Sequence, residues 1–392
     1  MSGNAAQSSA VDPVPLLDVS RSNKPIRDEV LEALAEVYDS GRFLFGPPVG
    51  TLEKEVSTIC NTEFAVGCAS GSDALLLSLM ALGIGPGDEV IVPSFSFFAT
   101  ASCVSRLGAK IVFADIDPRT YNIDPQAIEA KINSKTRAII PVHLFGQAAE
   151  MDQICKIAAT REIPVVEDAA QAIGAAYHGR PVGSWGQVGC ISFYPTKNLG
   201  GFGDGGMLVS GNDILADRLR LLSGHGMRPR YYHSEVGINS RLDTFQAAGL
   251  LVKIKHLADY TNARRANASN YKQLLQETGL VQEGCVELPY EDPVAYHVWN
   301  QFSLRISGGG RDALREHLQA HGVGSEIYYP IPLHQQVCYQ DLDYQEGSLP
   351  ETEKASREIL HLPIFPELTF EEQQSVIRCI SNYFEIAQRK AA

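Results

Sequence analysis

The sequence contains no apolar run of about 18 residues, the length a membrane-spanning helix needs, so no transmembrane segment is expected. Residues 1–13 lack the basic-then-apolar order of a secretory signal. They are mostly small and polar and read as a loose tail. Positive charge is in deficit: 33 Lys and Arg against 46 Asp and Glu leave a formal net charge of −13. That balance speaks against a general affinity for nucleic acid or an anionic membrane. An anionic substrate would have to be drawn by a local cluster. The eight cysteines are scattered without a C-x-x-C pair. This argues against a structural zinc site or a disulfide framework, no metal is expected, and a reducing cytoplasm fits. Internal repeats and low-complexity segments are lacking as well.

What is present is an ordinary globular composition, 44% hydrophobic and 20% charged, over 392 residues. That length suits about two or three domains, or one large domain with a smaller appendage. Buried-looking runs recur at Glu89–Pro93, Lys110–Ile116, Ala138–Leu144, Pro164–Glu167 and Cys190–Tyr194. Helical stretches such as Asp124–Lys131 and Asp152–Thr160 separate some of them. Pro25, the apolar residues Ile26, Val30, Leu31 and Leu34, and Gly41 beyond the end predict a further helix over 25–40. Because the Val and Ile runs do not alternate with polar residues, the strands should be covered on both faces, in a mostly parallel sheet of an α/β domain. Ligands of such sheets collect at the carboxyl ends of the strands.

Residues just past these runs carry chemistry. The run Cys190–Tyr194 stops at Pro195, and Lys197 follows on a turn beside five glycines. An amine on a sheet rim can be partly desolvated, which lowers its pKa and frees a lone pair to attack an aldehyde. Gly201, Gly203 and Gly206 satisfy G-x-G-x-x-G, but Met207–Ser210 reads as a strand where the dinucleotide motif requires a helix, so a nicotinamide site is rejected. Earlier, Ser70-Gly71-Ser72 joins a small-residue strand to a helix. Free amides there suit a phosphate monoester, although serine is also an ordinary helix cap. Phe97 follows the strand at 89–93 and could stack on a flat ring, and Asp168 follows the strand at 164–167. A phosphate cradle, an aromatic face, a carboxylate and a lysine are the attachments that pyridoxal phosphate requires.

Six pieces in order, Ser70-Gly-Ser-Asp-Ala-Leu75, Gly83-Ile-Gly-Pro-Gly-Asp-Glu-Val90, Pro93-Ser-Phe-Ser-Phe97, His143-Leu-Phe-Gly146, Glu167-Asp-Ala-Ala-Gln171 and Ser192-Phe-Tyr-Pro-Thr-Lys197, resemble the DegT/DnrJ/StrS group of pyridoxal-phosphate sugar aminotransferases. The likeness spans about Val14 to Phe384. It implies an aspartate-aminotransferase-like α/β fold of type I, a homodimer with a shared active site, and transfer of an amino group, from L-glutamate, to a keto group of a nucleotide-linked sugar. By the same resemblance Lys197 bonds the cofactor aldehyde and Asp168 pairs with the ring nitrogen. Gln171 lies near the ring hydroxyl, Phe97 stacks on the ring, and Gly71, Ser72 and Ser192 hold the phosphate. Asn239, in Gly237-Ile-Asn-Ser-Arg241, reaches the phosphate of the neighbouring subunit. Two positions depart from the usual pattern: Ser72 replaces threonine, and Phe97 stands where other members carry Trp, Tyr or His. Dehydratases of the family hold histidine in place of Lys197, so the lysine favours transamination over sugar dehydration. Sugar dehydration, cyclitol amination and cofactor binding by a non-catalytic regulator are the competing readings.

After about residue 255 the texture changes. Residues 14–255 read as a large cofactor-binding domain and 256–392 as a smaller α+β domain. Its expected elements are a polar helix at Asp259–Glu277, strands at Asn300–Ile306 and Ser325–Tyr329, a helix at Arg311–Ala320, and a last helix opened by a Thr369/Glu372 capping box and running to about Gln388. Tyr329 and His334, in a segment resembling the family's substrate-facing piece, are candidate substrate contacts. His225, Arg228 and Arg230 are candidates for a cationic loop that binds a nucleotide diphosphate. His317 and His321 read as structural or surface residues.

Overall fold

In the computed structural model, which describes residues 13–391, the buried runs come together as one central sheet. Its strands are β1 Phe64–Cys68, β2 Glu89–Pro93, β3 Lys110–Ala114, β4 Thr136–Ile139, β5 Val166–Asp168, β6 Val188–Ser192 and β7 Gly206–Ser210. A four-stranded part, β1-β7-β6-β5, and a three-stranded part, β3-β2-β4, join through parallel bridges from Ile139 to Val165 and from Val142 to Asp168. All neighbours run parallel except at β7, which is antiparallel to both β1 and β6. The missing alternation in the sequence has its cause here. Every residue of β2, β5, β6 and β7 is buried, because a hydrophobic cluster covers each face of the sheet.

Local signals explain how the chain enters and leaves its helices. The first amphipathic helix, α1 Arg27–Ser40, ends on Gly41 at φ 65°, a left-handed conformation that glycine adopts without strain. Within it Val30 and Val37 are buried, whereas Leu31 is exposed. Helix α2, Gly71–Ala81, follows β1, with the Ser70 hydroxyl accepting from the Asp73 N–H at 3.1 Å. Helix α3, Ala99–Arg106, follows β2. Past β7 come α4 Asp213–Ser223, α5 Thr244–Ile254 and α6 Leu257–Glu277, so the expected boundary at residue 255 falls between α5 and α6.

A second hydrophobic core lies around an antiparallel sheet of β8 Val286–Glu287, β9 Phe302–Ile306 and β10 Ile359–Leu362. Helices α7 Arg311–Ala320 and α8 Phe370–Ala391 pack on it. The capping box of α8 is made: the Glu372 N–H donates to Thr369 Oγ1 at 3.2 Å and the Thr369 N–H to Glu372 Oε2 at 2.9 Å. Val14 also belongs to this core, pairing with Val323, while residues 1–12 of the expected tail lie outside the described residues.

One expected strand is absent. Over 325–329 only Glu326 bridges to His361, because the next two amides donate to side chains instead: Ile327 N–H to Glu326 Oε1 at 2.9 Å and Tyr328 N–H to His361 Nδ1 at 3.3 Å. The segment therefore leaves the sheet and carries Tyr329 towards the ends of β2 and β5.

Candidate active site

The carboxyl ends of β2, β5 and β6 open on one edge of the sheet, beside the start of α2. Asp168, the last residue of β5, is 5% exposed. Its Oδ2 accepts from Thr100 Oγ1 at 2.8 Å, and its Oδ1 from the Ala170 N–H at 3.2 Å. Ser96 meets the same Thr100 hydroxyl at 2.8 Å, so a short polar chain runs from the loop after β2 into the carboxylate. Burial pushes the Asp168 carboxyl up, and Thr100, the Ala170 amide, Lys197 and His143 oppose that shift.

Lys197 lies on the turn after β6, fixed by its own N–H to the Tyr194 carbonyl at 2.8 Å. Burial pushes its ammonium down to about 8, against the attraction of Asp168. The two groups therefore sit close enough to shift each other. Lys253 is likewise pushed down to about 8 by burial, but it stands 5.3 Å over the Phe202 ring and is opposed by Glu367. Of these two lysines, Lys197 is the one whose lowered pKa is opposed by the strand-end aspartate.

Aromatic groups close the site from above. Tyr329 lies 6.3 Å from Phe97 and 6.1 Å from Phe95, ring centre to ring centre, and its hydroxyl accepts from Gln171 Nε2 at 3.3 Å. Gln171 Oε1 accepts the Phe145 N–H at 2.7 Å, which leaves one amide hydrogen of Gln171 for a ligand. Burial and the nearby Asp168 raise the Tyr329 phenol, so it stays protonated. Phe97 keeps 58% of its surface exposed, an open aromatic face beside this group.

The cradle at the start of α2 depends on missing side chains. A Cβ on Gly71 would lie 2.7 Å from Ser192 Cβ, and one on Gly206 would lie 2.4 Å from the Ser70 carbonyl. With no Cβ in the way, the first amides of α2, at Gly71 and Ser72, meet the end of β6, and a helix has no acceptor of its own for them. Ser192 is buried against Gly71, while Ser72 is exposed. Gly206 opens β7, so the glycine-rich stretch leads into a strand, as expected.

Beneath the site Glu167 is fully buried. It accepts from His143 Nε2 at 3.0 Å and from the N–H groups of Gly183, Trp185 and Gly186 at 2.7–2.8 Å. Because His143 Nδ1 takes the Ala149 N–H at 3.1 Å, its proton sits on Nε2 and points to Glu167. The acid thus braces the strand whose next residue is Asp168.

Other candidates lie apart from this group. Arg228 pairs with Asp217 at 2.8 Å and Arg230 lies 4.9 Å over the Tyr231 ring, both on an exposed loop with His225. Asn239 is exposed and accepts from Arg241 at 2.5 Å, next to Ser240, whose hydroxyl takes the Ala69 N–H at 3.0 Å. His334 is 2% exposed, with Nδ1 on Ser94 Oγ at 2.6 Å and Nε2 on Glu353 at 3.3 Å. Both ring nitrogens are used, so it anchors the loop that carries Phe97 and has none left for a ligand. Thr100 and Ser96 escaped the sequence reading. Their spacing of four residues directly after β2 was the available signal.

The family model of the DegT/DnrJ/EryC1/StrS aminotransferase family matches residues 24–381. A protein of Geobacillus stearothermophilus named pleiotropic regulatory protein is 47% identical over 95% of this chain and 98% of its own length. The UDP-N-acetyl-3-dehydro-α-D-glucosamine 3-aminotransferase of Acidithiobacillus ferrooxidans is 44% identical over 92% and 95%. Among solved structures, S. venezuelae DesV in complex with a ketimine intermediate matches with a TM-score of 0.91 at 42% identity, covering 95% of this chain and 99% of that one. NtdA of Bacillus subtilis with bound cofactor PMP matches with a TM-score of 0.87 at 34% identity, over 95% and 86%. With its fold, its strand-end lysine and these identities in agreement, the chain belongs to the DegT/DnrJ/EryC1/StrS aminotransferase family.

Proposed function

We propose that the protein is a pyridoxal-phosphate-dependent aminotransferase that moves an amino group from L-glutamate onto a keto group of a nucleotide-linked sugar. The observation that carries this reading is the placement of Lys197, on the turn after β6, near the buried Asp168 that ends the neighbouring parallel strand β5, with burial pushing its ammonium down to about 8. The residues fit the cofactor. The Gly71 and Ser72 amides with Ser192 would hold the phosphate, Phe97 would offer a stacking face to the ring, and Gln171 has an amide hydrogen for the ring hydroxyl. When bound, pyridoxal phosphate supplies an aldehyde that captures amines and a ring that holds the electrons released at the substrate carbon. Lys197 Nζ, partly unprotonated near neutral pH, takes the α-proton of the donor and delivers one to the sugar carbon in the return half-reaction. Asp168, held by Thr100 and the Ala170 amide, keeps a proton on the ring nitrogen.

The reading includes a homodimer in which Asn239 of each copy serves the other's phosphate site. The exposed aromatic residues Phe43, Phe45, Tyr231 and Tyr232, and Val236 at 91% exposure, support a covered face there. His225, Arg228 and Arg230 on that loop would meet the nucleotide diphosphate. A cytoplasmic setting fits the eight free cysteines, and no helix among the described residues is long and apolar enough to cross a membrane.

The test loads the protein with pyridoxamine phosphate, adds nucleotide-linked keto sugars and identifies the product by mass. The expected product carries a new nitrogen in place of the keto oxygen. Loss of oxygen without gain of nitrogen would rule the reading out. The relative named as a regulator favours a second reading, binding without turnover; absence of any half-reaction with glutamate or another common amino donor would establish it.

The cradle gives a further expectation. In Gly71→Ala the new Cβ meets Ser192 Cβ, so the start of α2 must shift away from β6. Equilibrium dialysis should show weaker retention of pyridoxal phosphate. Equal retention by the wild type and the variant would move the phosphate elsewhere.

A further inference from the structure

Outside the active site, the structure brings together three metal-binding side chains that the proposed reaction does not use. One ring nitrogen each of His317 and His321 and the sulfur of Cys379 lie within 4.8 Å of one another. We propose that His317, His321 and Cys379 form a binding site for a soft divalent cation, best suited to zinc, that clamps the last helix onto α7.

The geometry supports this at each ligand. His317 is in α7 and His321 caps its C-terminus, four residues on, so both imidazoles share one face. Their ring centres are 4.2 Å apart. His321 Nδ1 donates to the His317 carbonyl at 2.8 Å, which fixes the proton there and leaves Nε2 with its lone pair. His317 Nε2 makes no well-formed hydrogen bond among the described residues, and the ring leans on the Cys379 backbone, which sets it beside the Cys379 side chain. Cys379, on α8, is buried and free.

Zinc bonds of about 2.0–2.3 Å at tetrahedral angles hold donors roughly 3.3–3.6 Å apart. From separations of up to 4.8 Å the three ligands therefore close by no more than about 1.5 Å, within reach of side-chain rotation. Two nitrogens and a sulfur favour zinc over magnesium or calcium, which prefer oxygen. Binding would release the Cys379 proton and leave a fourth position open on the His321 side, which faces solvent. Because the ligands come from α7 and α8, the cation would act on the stability of the small C-terminal core and not on the distant chemistry.

The test uses cofactor-loaded protein carrying Cys338→Ala, which removes the exposed cysteine as a competing ligand. Zinc titration against a chromophoric chelator should show one cation per chain and a raised melting temperature. Cobalt(II) in its place should give thiolate-to-metal absorption. His321→Ala should weaken zinc binding by more than about tenfold while leaving amino transfer unchanged, and Cys379→Ala should abolish the cobalt–thiolate band. If Cys379→Ala misfolds, the cobalt spectrum of the background protein decides, since only a thiolate ligand gives that band. Zinc binding that survives His321→Ala undiminished, or no saturable binding at all, overturns the proposal.

Discussion

Lys197→Ala is expected to lower amino transfer by roughly 10⁴-fold or more, because one side chain both tethers the cofactor and moves the proton at the substrate carbon. The visible absorption of lysine-bound pyridoxal phosphate should vanish, while the phosphate cradle still retains cofactor. Retained absorption would assign the tether to another amine, and Lys253, also pushed down to about 8, is the one to examine. The depressed pKa can be checked without cofactor. Acylation of the apo-protein, followed residue by residue by mass spectrometry, should label Lys197 with a midpoint near pH 8, not at its ordinary value of 10.5. The linkage has a definite sign. The folded state disfavours the charged amine, so below about pH 8 the penalty is present in full, and it is relieved as pH rises towards 10.5. Apo-protein carrying Lys197→Met should therefore gain stability over wild type near pH 7, and the gain should shrink towards pH 10.

The sheet was legible because burial on both faces writes itself into the sequence as Val and Ile runs without alternation, and the ends of those runs mark where ligands gather. Lys197 stood out for a related reason, since Pro195 closes the apolar run before it, although the strand itself already ends at Ser192. Contacts between distant side chains leave no such mark. Nothing near Asp168 in sequence announces Thr100, 68 positions earlier. His334 carries the chemistry of a ligand contact, yet its partners, Ser94 and Glu353, consume both nitrogens. The strand expected over 325–329 has a suitable pattern but loses its ladder to the side chains of Glu326 and His361. His317 and His321 read as ordinary surface residues until the last helix brings Cys379 beside them.

Asp168→Asn should retain cofactor but lower turnover by about a thousandfold. The amide has nearly the same shape, and its oxygen can still accept from Thr100. It cannot hold a charged proton on the ring nitrogen, and that charge is what makes the ring accept electrons from the substrate carbon. Asp168 must therefore remain ionised although burial favours its neutral form, and Thr100 supplies the strongest opposing interaction. Thr100→Val removes that hydrogen bond without changing the volume of the side chain much. The carboxyl should rise further, and the acid limb of the pH–rate profile should move to higher pH, because activity is lost as pH falls through the higher pKa. A merely structural Thr100 would change the melting temperature and leave the limb where it is. Near-normal turnover in Asp168→Asn would mean that the carboxylate only braces the strand, a task Glu167 already performs with its four donors.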